Sequence, residues 1–277
     1  MESLVEKLVA KARMLRSLVL RTCIRAGTGH VTSSFSCVEL LVALYCGGIL
    51  RYDPKCPHWD ERDRFILSKG QASPILYAVL SDCGFFPRSW LKSFCQASGK
   101  FGVHLQCDVP GVEVTTGSLG YGLGIAAGLA LAARLDRKLY LTYVLLGDGE
   151  CHEGSIWEAA MFAGHHQLNN LVAIVDRNWL CATDFTENCV RLNPLTKKWH
   201  SFGWDVTVID GHSFPEIIQA FRGLRSRQGN RPLVIIANTV KGKGIDFMEN
   251  YPLWHGIAPQ KDQAKLALRC LGKEGKD

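Results

Sequence analysis

A chain of 277 residues, 47% hydrophobic and 21% charged, is long enough for a sizeable core and reads as an ordinary soluble globular protein. The net charge of +6 is mild and no Lys/Arg run exceeds two residues, so a solvated basic surface outweighs nucleic-acid binding, while the excess suits a phosphorylated ligand. The eleven cysteines contain no Cys-x-x-Cys; Cys23, Cys37, Cys46, Cys56 and the rest are scattered, which fits small buried hydrophobes in a reducing compartment better than a disulfide frame or zinc cluster.

Residues 3–25 alternate charged and apolar positions at helical spacing and stop at Arg25-Ala26-Gly27. They lack the continuous apolar core of a signal peptide, so a cytoplasmic location is expected. Residues 36–46 read as a second helix capped by Ser36. Residues 64–68 (RFILS) form a short apolar strand, and 73–83 a helix with Pro74 near its start and Gly84 at its end. Residues 98–118 are irregular. Residues 119–135, LGYGLGIAAGLALAARL, are short for a membrane span, broken by glycines and closed by Arg134, so a buried core helix is expected. Gly120, Gly124 and Gly128 would let another helix approach closely, at a core or subunit seam.

The remainder alternates regularly. Strands are expected at 139–146, 171–176, 204–209 and 233–238, helices at 154–166 and 214–224, with a helical tail after 258. Continuous apolar strands separated by helices imply an α/β fold with a mainly parallel sheet and helices on both faces. No linker or internal repeat is visible, so residues 1–277 are expected to form a single domain.

In such a sheet ligands bind outside the carboxyl ends of the strands. The stretch 145–158, LLGDGECHEGSIWE, lies there. Asp148 can project a carboxylate, and Gly147 and Gly149 allow the backbone close to an anion. One strand–helix–strand unit later, Asp176-Arg177-Asn178 ends the next strand, and a side-chain amide oxygen is a hard ligand. A carboxylate, an amide and phosphate oxygens are a usual way to hold magnesium. The alternative of a zinc-protease helix fails, because the second histidine that His152-Glu153 would need is Ile156. His165-His166 at a helix end reads as capping.

The spaced Gly-Asp-Gly and Asn resemble the diphosphate–magnesium site of thiamine diphosphate enzymes. Further motifs narrow the resemblance to the transketolase family: Gly29-His30, the run Arg62–Gly70 (RDRFILSKG), His104 ahead of Pro110–Glu113, Thr115–Gly120, Lys241–Gly244 and Trp254-His255-Gly256. These stand in family order from residue 20 to 256. The resemblance implies the thiamin diphosphate-binding fold, with Asp148, Asn178 and the Leu180 carbonyl on Mg2+, for which Ca2+ or Mn2+ could substitute. It implies thiamine diphosphate held by Gln71, Gly117, Ser118, Leu119, Gly149, Glu150, Asn178, Lys241 and His255. It implies His30, His104 and His255 as catalytic groups near substrate hydroxyls, with Glu153 and Glu158 in an acidic network between paired active sites. Imidazoles so placed can move protons and steady a developing alkoxide.

Two positions depart from the family pattern. Gln71 stands where LSKGH would place histidine, and an amide cannot carry a proton at neutral pH. Tyr121 stands where glutamine is common. A full transketolase also has a second domain that grips the pyrimidine ring, and no counterpart follows Trp254-His255-Gly256 here. The chain therefore resembles the N-terminal subunit of a split transketolase. Such a subunit would be a transferase, moving a two-carbon unit between sugars or sugar phosphates with a separate pyrimidine-binding C-terminal subunit, in an α2β2 assembly. Neither nucleic acid nor membrane is an expected partner. The alternatives are the alpha subunit of a 2-oxo acid dehydrogenase and a non-catalytic binding chain of the same fold.

Overall fold

A computed structural model describes residues 2–273. Its helices are α1 (Glu2–Ala26), α2 (Val31–Phe35), α3 (Val38–Cys46), α4 (Ser73–Asp82), α5 (Gly122–Leu135), α6 (Gly154–His165), α7 (Thr186–Cys189), α8 (Leu195–Ser201), α9 (Phe214–Phe221) and α10 (Lys261–Lys273). Its strands are β1 (Arg64–Leu67), β2 (Thr142–Gly147), β3 (Leu171–Arg177), β4 (Asp205–Asp210) and β5 (Leu233–Asn238). They make one sheet in the order β1-β2-β3-β5-β4, every pair parallel.

The three central strands are buried along nearly their whole length, as expected of apolar runs covered on both faces. Their side chains alternate between two cores. Tyr143, Leu145, Val172, Ile174 and Ile235 face a layer that includes α1, α3, α4 and α9. Val144, Leu146, Ala173, Val175 and Val234 face α5, α6 and α8. The edge strand β4 is only half covered. The register sets Gly147 beside Asp176 and Arg177 beside Asn238, so the loops leaving β2, β3 and β5 start at one level.

Several boundaries differ from the sequence expectation, for local reasons. Ser36 does not cap a helix over 36–46. The chain breaks at Cys37 (φ −111°, ψ 17°), and the Ser36 hydroxyl donates to Asp176 Oδ2 at 2.6 Å. The helix expected from 119 begins at Gly122, because Gly120 sits at φ +91° and the Gly122 N–H donates to Ser68 Oγ at 3.1 Å. Leu139 is left 82% exposed, ahead of β2. The short helices α7 and α8 fall in a stretch with no clear helical period. The apolar face of α5 packs into the core, and no described helix is long and apolar enough to cross a membrane.

Candidate functional site

A cleft with about 570 Å³ of empty space opens over the carboxyl ends of the central strands. The turn after β2 brings Asp148 into it, almost fully buried. Asp148 Oδ1 accepts the Gly149 N–H at 2.9 Å, and Oδ2 accepts the Trp179 N–H at 2.6 Å. Trp179, which donates that bond, sits at φ +68°, an unusual conformation for a bulky residue. The Arg177 guanidinium lies 3.3 Å from Asp148 Oδ2 and stacks 4.0 Å over the Trp179 ring. Burial raises the Asp148 carboxyl to about 6, with Asp176 adding to the rise, and Arg177 offsets only part of this. A carboxylate in that state is short of positive charge, and a cation would supply it.

From β3, Asn178 Oδ1 accepts the Leu180 N–H at 3.2 Å, while its amide Nδ2 lies 3.4 Å from Asp176 Oδ2. The Leu180 and Cys181 carbonyls accept Lys241 Nζ at 3.1 and 2.9 Å. The three residues the sequence nominates for the ion, Asp148, Asn178 and Leu180, all line the cleft. Among the described residues no cluster of three or more His, Cys, Asp or Glu could hold a metal ion. One carboxylate, one amide oxygen and one carbonyl suit a hard divalent ion only when ligand oxygens complete the shell, as those of a diphosphate would. The Gly149 cradle and the Lys241 ammonium, itself already seated on carbonyl oxygens, fit that group.

Under this floor lies a polar cluster whose links the sequence did not reveal. Asp176 is fully buried and accepts from Ser36, Thr239 and Lys69. Lys69 Nζ also donates to the Ser33 carbonyl at 3.0 Å. Burial alone would raise the Asp176 carboxyl, but Lys69 and the two hydroxyls hold it below its ordinary value. The cluster joins α2, the end of β1, β3 and the loop after β5. It fixes where Asn178 starts and places a second ammonium in the cleft wall.

The three candidate histidines lie near one another, and of them only His255 lines the cleft. The His30 ring centre lies 5.3 Å from that of His255 and 6.2 Å from that of His104. His255 Nδ1 sits 3.0 Å from Lys241 Nζ, and since the ammonium donates, Nδ1 accepts. Burial, with Lys241 and His30 nearby, lowers His255 to about 3. Burial, His104 and Lys241 lower His30 to about 4. Both rings are therefore neutral at pH 7, each with one donor and one acceptor. Burial and Lys69 lower Lys241 to about 8 against the pull of Asp148, which leaves it mostly charged at neutrality.

Gln71, Leu119, Asp148, Gly149, Glu150, Asn178, Leu180, Lys241 and His255 line the cleft. The Gly117 carbonyl accepts Gln71 Nε2 at 3.1 Å, which leaves Gln71 Oε1 buried without a donor. Glu150 lines the cleft, but its carboxylate is already committed. It accepts from Ser68 Oγ, from Gly120 N at 2.9 Å and from Gly147 N at 3.0 Å. The geometry thus gives Glu150 the task of fastening the 117–121 loop to the ends of β1 and β2. Ser118, Glu153 and Glu158 are exposed and stand outside the cleft lining. Glu153 precedes α6 and packs beside Gly120, and Glu158 lies on the outer surface of α6. Lys69, Arg177 and Thr239 were given no role from the sequence, and Asp176 entered only as the start of the Asp176-Arg177-Asn178 strand end. A lysine and an aspartate at the ends of apolar strands were the available signal.

The sheet, the cleft and its oxygen and ammonium groups define a diphosphate-binding α/β domain. The chain matches the family described as "Transketolase, thiamine diphosphate binding domain" over residues 6–277. It is 41% identical over 268 residues to the 6-deoxy-6-sulfo-D-fructose transketolase subunit SqwG of a Clostridium species, covering 96% of each chain. It is 39% identical over 265 residues to one subunit of the apulose-4-phosphate transketolase of Phocaeicola vulgatus, covering 96% of this chain and 94% of that one. The transketolase structure from Campylobacter jejuni superposes with a TM-score of 0.88 at 30% identity, over 96% of this chain and 42% of that one. The chain belongs to the transketolase family and has the thiamine diphosphate-binding fold.

Proposed function

We propose that this protein is the diphosphate-binding subunit of a thiamine diphosphate- and magnesium-dependent ketol transferase. It works with a separate pyrimidine-binding subunit in an α2β2 assembly and moves a two-carbon unit between sugar or sugar-phosphate substrates. The convergence of Asp148, Asn178, the Leu180 carbonyl, Gly149 N–H and Lys241 in one cleft carries the reading. Its support is the family match together with relatives named as subunits that are nearly the length of this chain. These relatives do not favour a 2-oxo acid dehydrogenase subunit.

In this reading Asp148, Asn178 and the Leu180 carbonyl hold the cation, while Gly149 N–H and Lys241 bind the diphosphate. Leu119 and Gly117 wall the cofactor. The bound cofactor supplies the carbon nucleophile that breaks and makes the carbon–carbon bond. The chain's own contribution is position and proton handling. His255, its acceptor taken by Lys241, can donate through Nε2. His30, neutral between His104 and His255, can take or give a proton at a substrate hydroxyl. Glu153 and Glu158, outside this cleft, would act at the contact with a second copy.

The test is to purify the chain with its co-encoded partner and assay the complex against a donor panel. The panel includes 6-deoxy-6-sulfofructose and apulose 4-phosphate, the sugars in the relatives' names. Ketol transfer by the complex and none by the isolated chain is the expected result. Transfer by the isolated chain, or 2-oxo acid decarboxylation by the complex, overturns it.

A further inference from the structure

Outside the cleft, a buried ion pair is tied through one imidazole to the turn that carries Lys241. Arg16 of α1 donates to both oxygens of Glu39 on α3, and Glu39 Oε2 lies 2.9 Å from His212 Nδ1. On its other side the His212 ring meets the Val240 N–H, whose nitrogen lies 2.9 Å from Nε2. A backbone N–H can only donate, so Nε2 is bare and the ring proton sits on Nδ1, donated to Glu39. With Arg16 on both of its oxygens, Glu39 is an acceptor only. A ring with its proton on Nε2 would set N–H against N–H at Val240, and Glu39 selects against it.

The turn that carries His212 is pressed against the end of β5. The Gly211 N–H donates to the Asn238 carbonyl at 2.7 Å, and a Cβ on Gly211 would collide with the Thr239 side chain. The ring thus holds the last residue before Lys241. Just beyond, the Lys241 carbonyl accepts the Asn250 N–H at 2.9 Å, and the Gly242 N–H donates to the Thr32 carbonyl at 3.1 Å. Those two ties join backbone to backbone. The His212 tie is made by a side chain, so a substitution can cut it and leave the backbone whole. A lysine side chain is long and rotamer-rich, and its ammonium stands where its backbone is held. From this anchorage Lys241 Nζ reaches the Leu180 and Cys181 carbonyls and His255 Nδ1.

We propose that His212 is a positioning residue for Lys241: its bare Nε2, aimed by Glu39, fixes Val240 and so sets the ammonium where it meets the diphosphate. The inference rests on the cofactor reading of the cleft. His212 itself lies outside the cleft lining and touches no group of the cofactor site.

Two amides separate the tie from mere bulk. Asparagine reaches only as far as Nδ1, so it can still donate to Glu39 but cannot reach Val240. Glutamine reaches as far as Nε2, and its carbonyl oxygen can accept the Val240 N–H. The experiment measures thiamine diphosphate binding with Mg2+ by calorimetry in wild type, His212→Asn and His212→Gln, each with Lys241 and with Lys241→Met. Amide exchange at Val240 is followed by NMR in the cofactor-free chains. His212→Asn should lose Val240 protection and about tenfold in affinity, the size of one hydrogen bond. His212→Gln should keep the protection and most of the affinity. With Lys241→Met in place, His212→Asn should cost nothing further, because the two residues act as one unit. An equal loss in both Lys241 backgrounds, no loss in His212→Asn, or glutamine no better than asparagine overturns the proposal. Nitrogen NMR of the wild-type ring tests it without any variant: a proton found on Nε2 also overturns it. A wild type that does not bind thiamine diphosphate overturns the cofactor reading, and with it the role at the diphosphate.

Discussion

Replacing Glu150 by alanine removes one buried carboxylate and strands three donors: the Ser68 hydroxyl and the Gly120 and Gly147 N–H groups. Hydrogen bonds to a charged acceptor contribute about 1.5–3 kcal/mol each, so the gross loss is roughly 4–9 kcal/mol. Part of this is offset, because the carboxylate itself is costly to bury, as its raised pKa shows. The expected net destabilisation of the apo chain is about 3–5 kcal/mol, the range for breaking a buried charged network. For a chain of this size that lowers the melting temperature by on the order of 10 °C. Glu150→Gln keeps the shape but turns an amide N–H₂ toward a donor, and should cost about 1–3 kcal/mol. Urea titration of the cofactor-free protein measures both. A cost below about 1 kcal/mol for Glu150→Ala, with cofactor affinity lost nonetheless, would mean that Glu150 contacts the cofactor and does not fasten the loop.

Glu39 is held between Arg16, which donates to both of its oxygens, and His212 Nδ1 at 2.9 Å. These partners outweigh burial and lower its carboxyl to about 2. Glu39→Ala leaves the buried Arg16 guanidinium uncompensated and should cost about 3–5 kcal/mol, read by denaturant unfolding. The folded pKa values of His30 and His255, about 4 and about 3, lie below the unfolded value near 6.5. Below that value the unfolded chain binds more protons, so this contribution to stability is fully present above pH 6.5 and drains away as pH falls through about 4 and about 3. His30→Asn with His255→Asn should flatten the melting temperature of the apo chain over that window. An unchanged pH slope would show that the two rings are not held neutral.

Much of the fold was legible because the signal was local. β2, β3 and β5 are unbroken apolar runs between helices, and such runs have few other homes than a covered parallel sheet. Ser36 shows the limit of local reading. Its hydroxyl looked like a cap, but a carboxylate 140 residues later competes for it, and the buried charge wins. The loop holding α7 and α8 was opaque for a related reason. It is shaped by Glu187, which accepts from Arg177, itself anchored on Asp148 and the Trp179 ring. In the candidate site, Gly-Asp-Gly and Asp-x-Asn were visible as a spaced pair, and the three histidines as isolated letters in motifs. What could not be read was the joining of Lys69, Ser36 and Thr239 on Asp176, since each contact spans 63 residues or more. Gln71 was visible as a departure. That its amide is spent on the Gly117 carbonyl emerged only with the fold.

In the proposed function, Asp148 anchors a cation-bridged diphosphate in this cleft. Calorimetric titration of the chain with thiamine diphosphate, with Mg2+ and with chelator, on wild type and Asp148→Ala, tests it directly. Saturable binding by the wild type only with the divalent ion is expected, with a loss of about a hundredfold or more in the variant, roughly the effect of removing a charged ligand from a buried site. Binding of equal strength in chelator, or by Asp148→Ala, would contradict it.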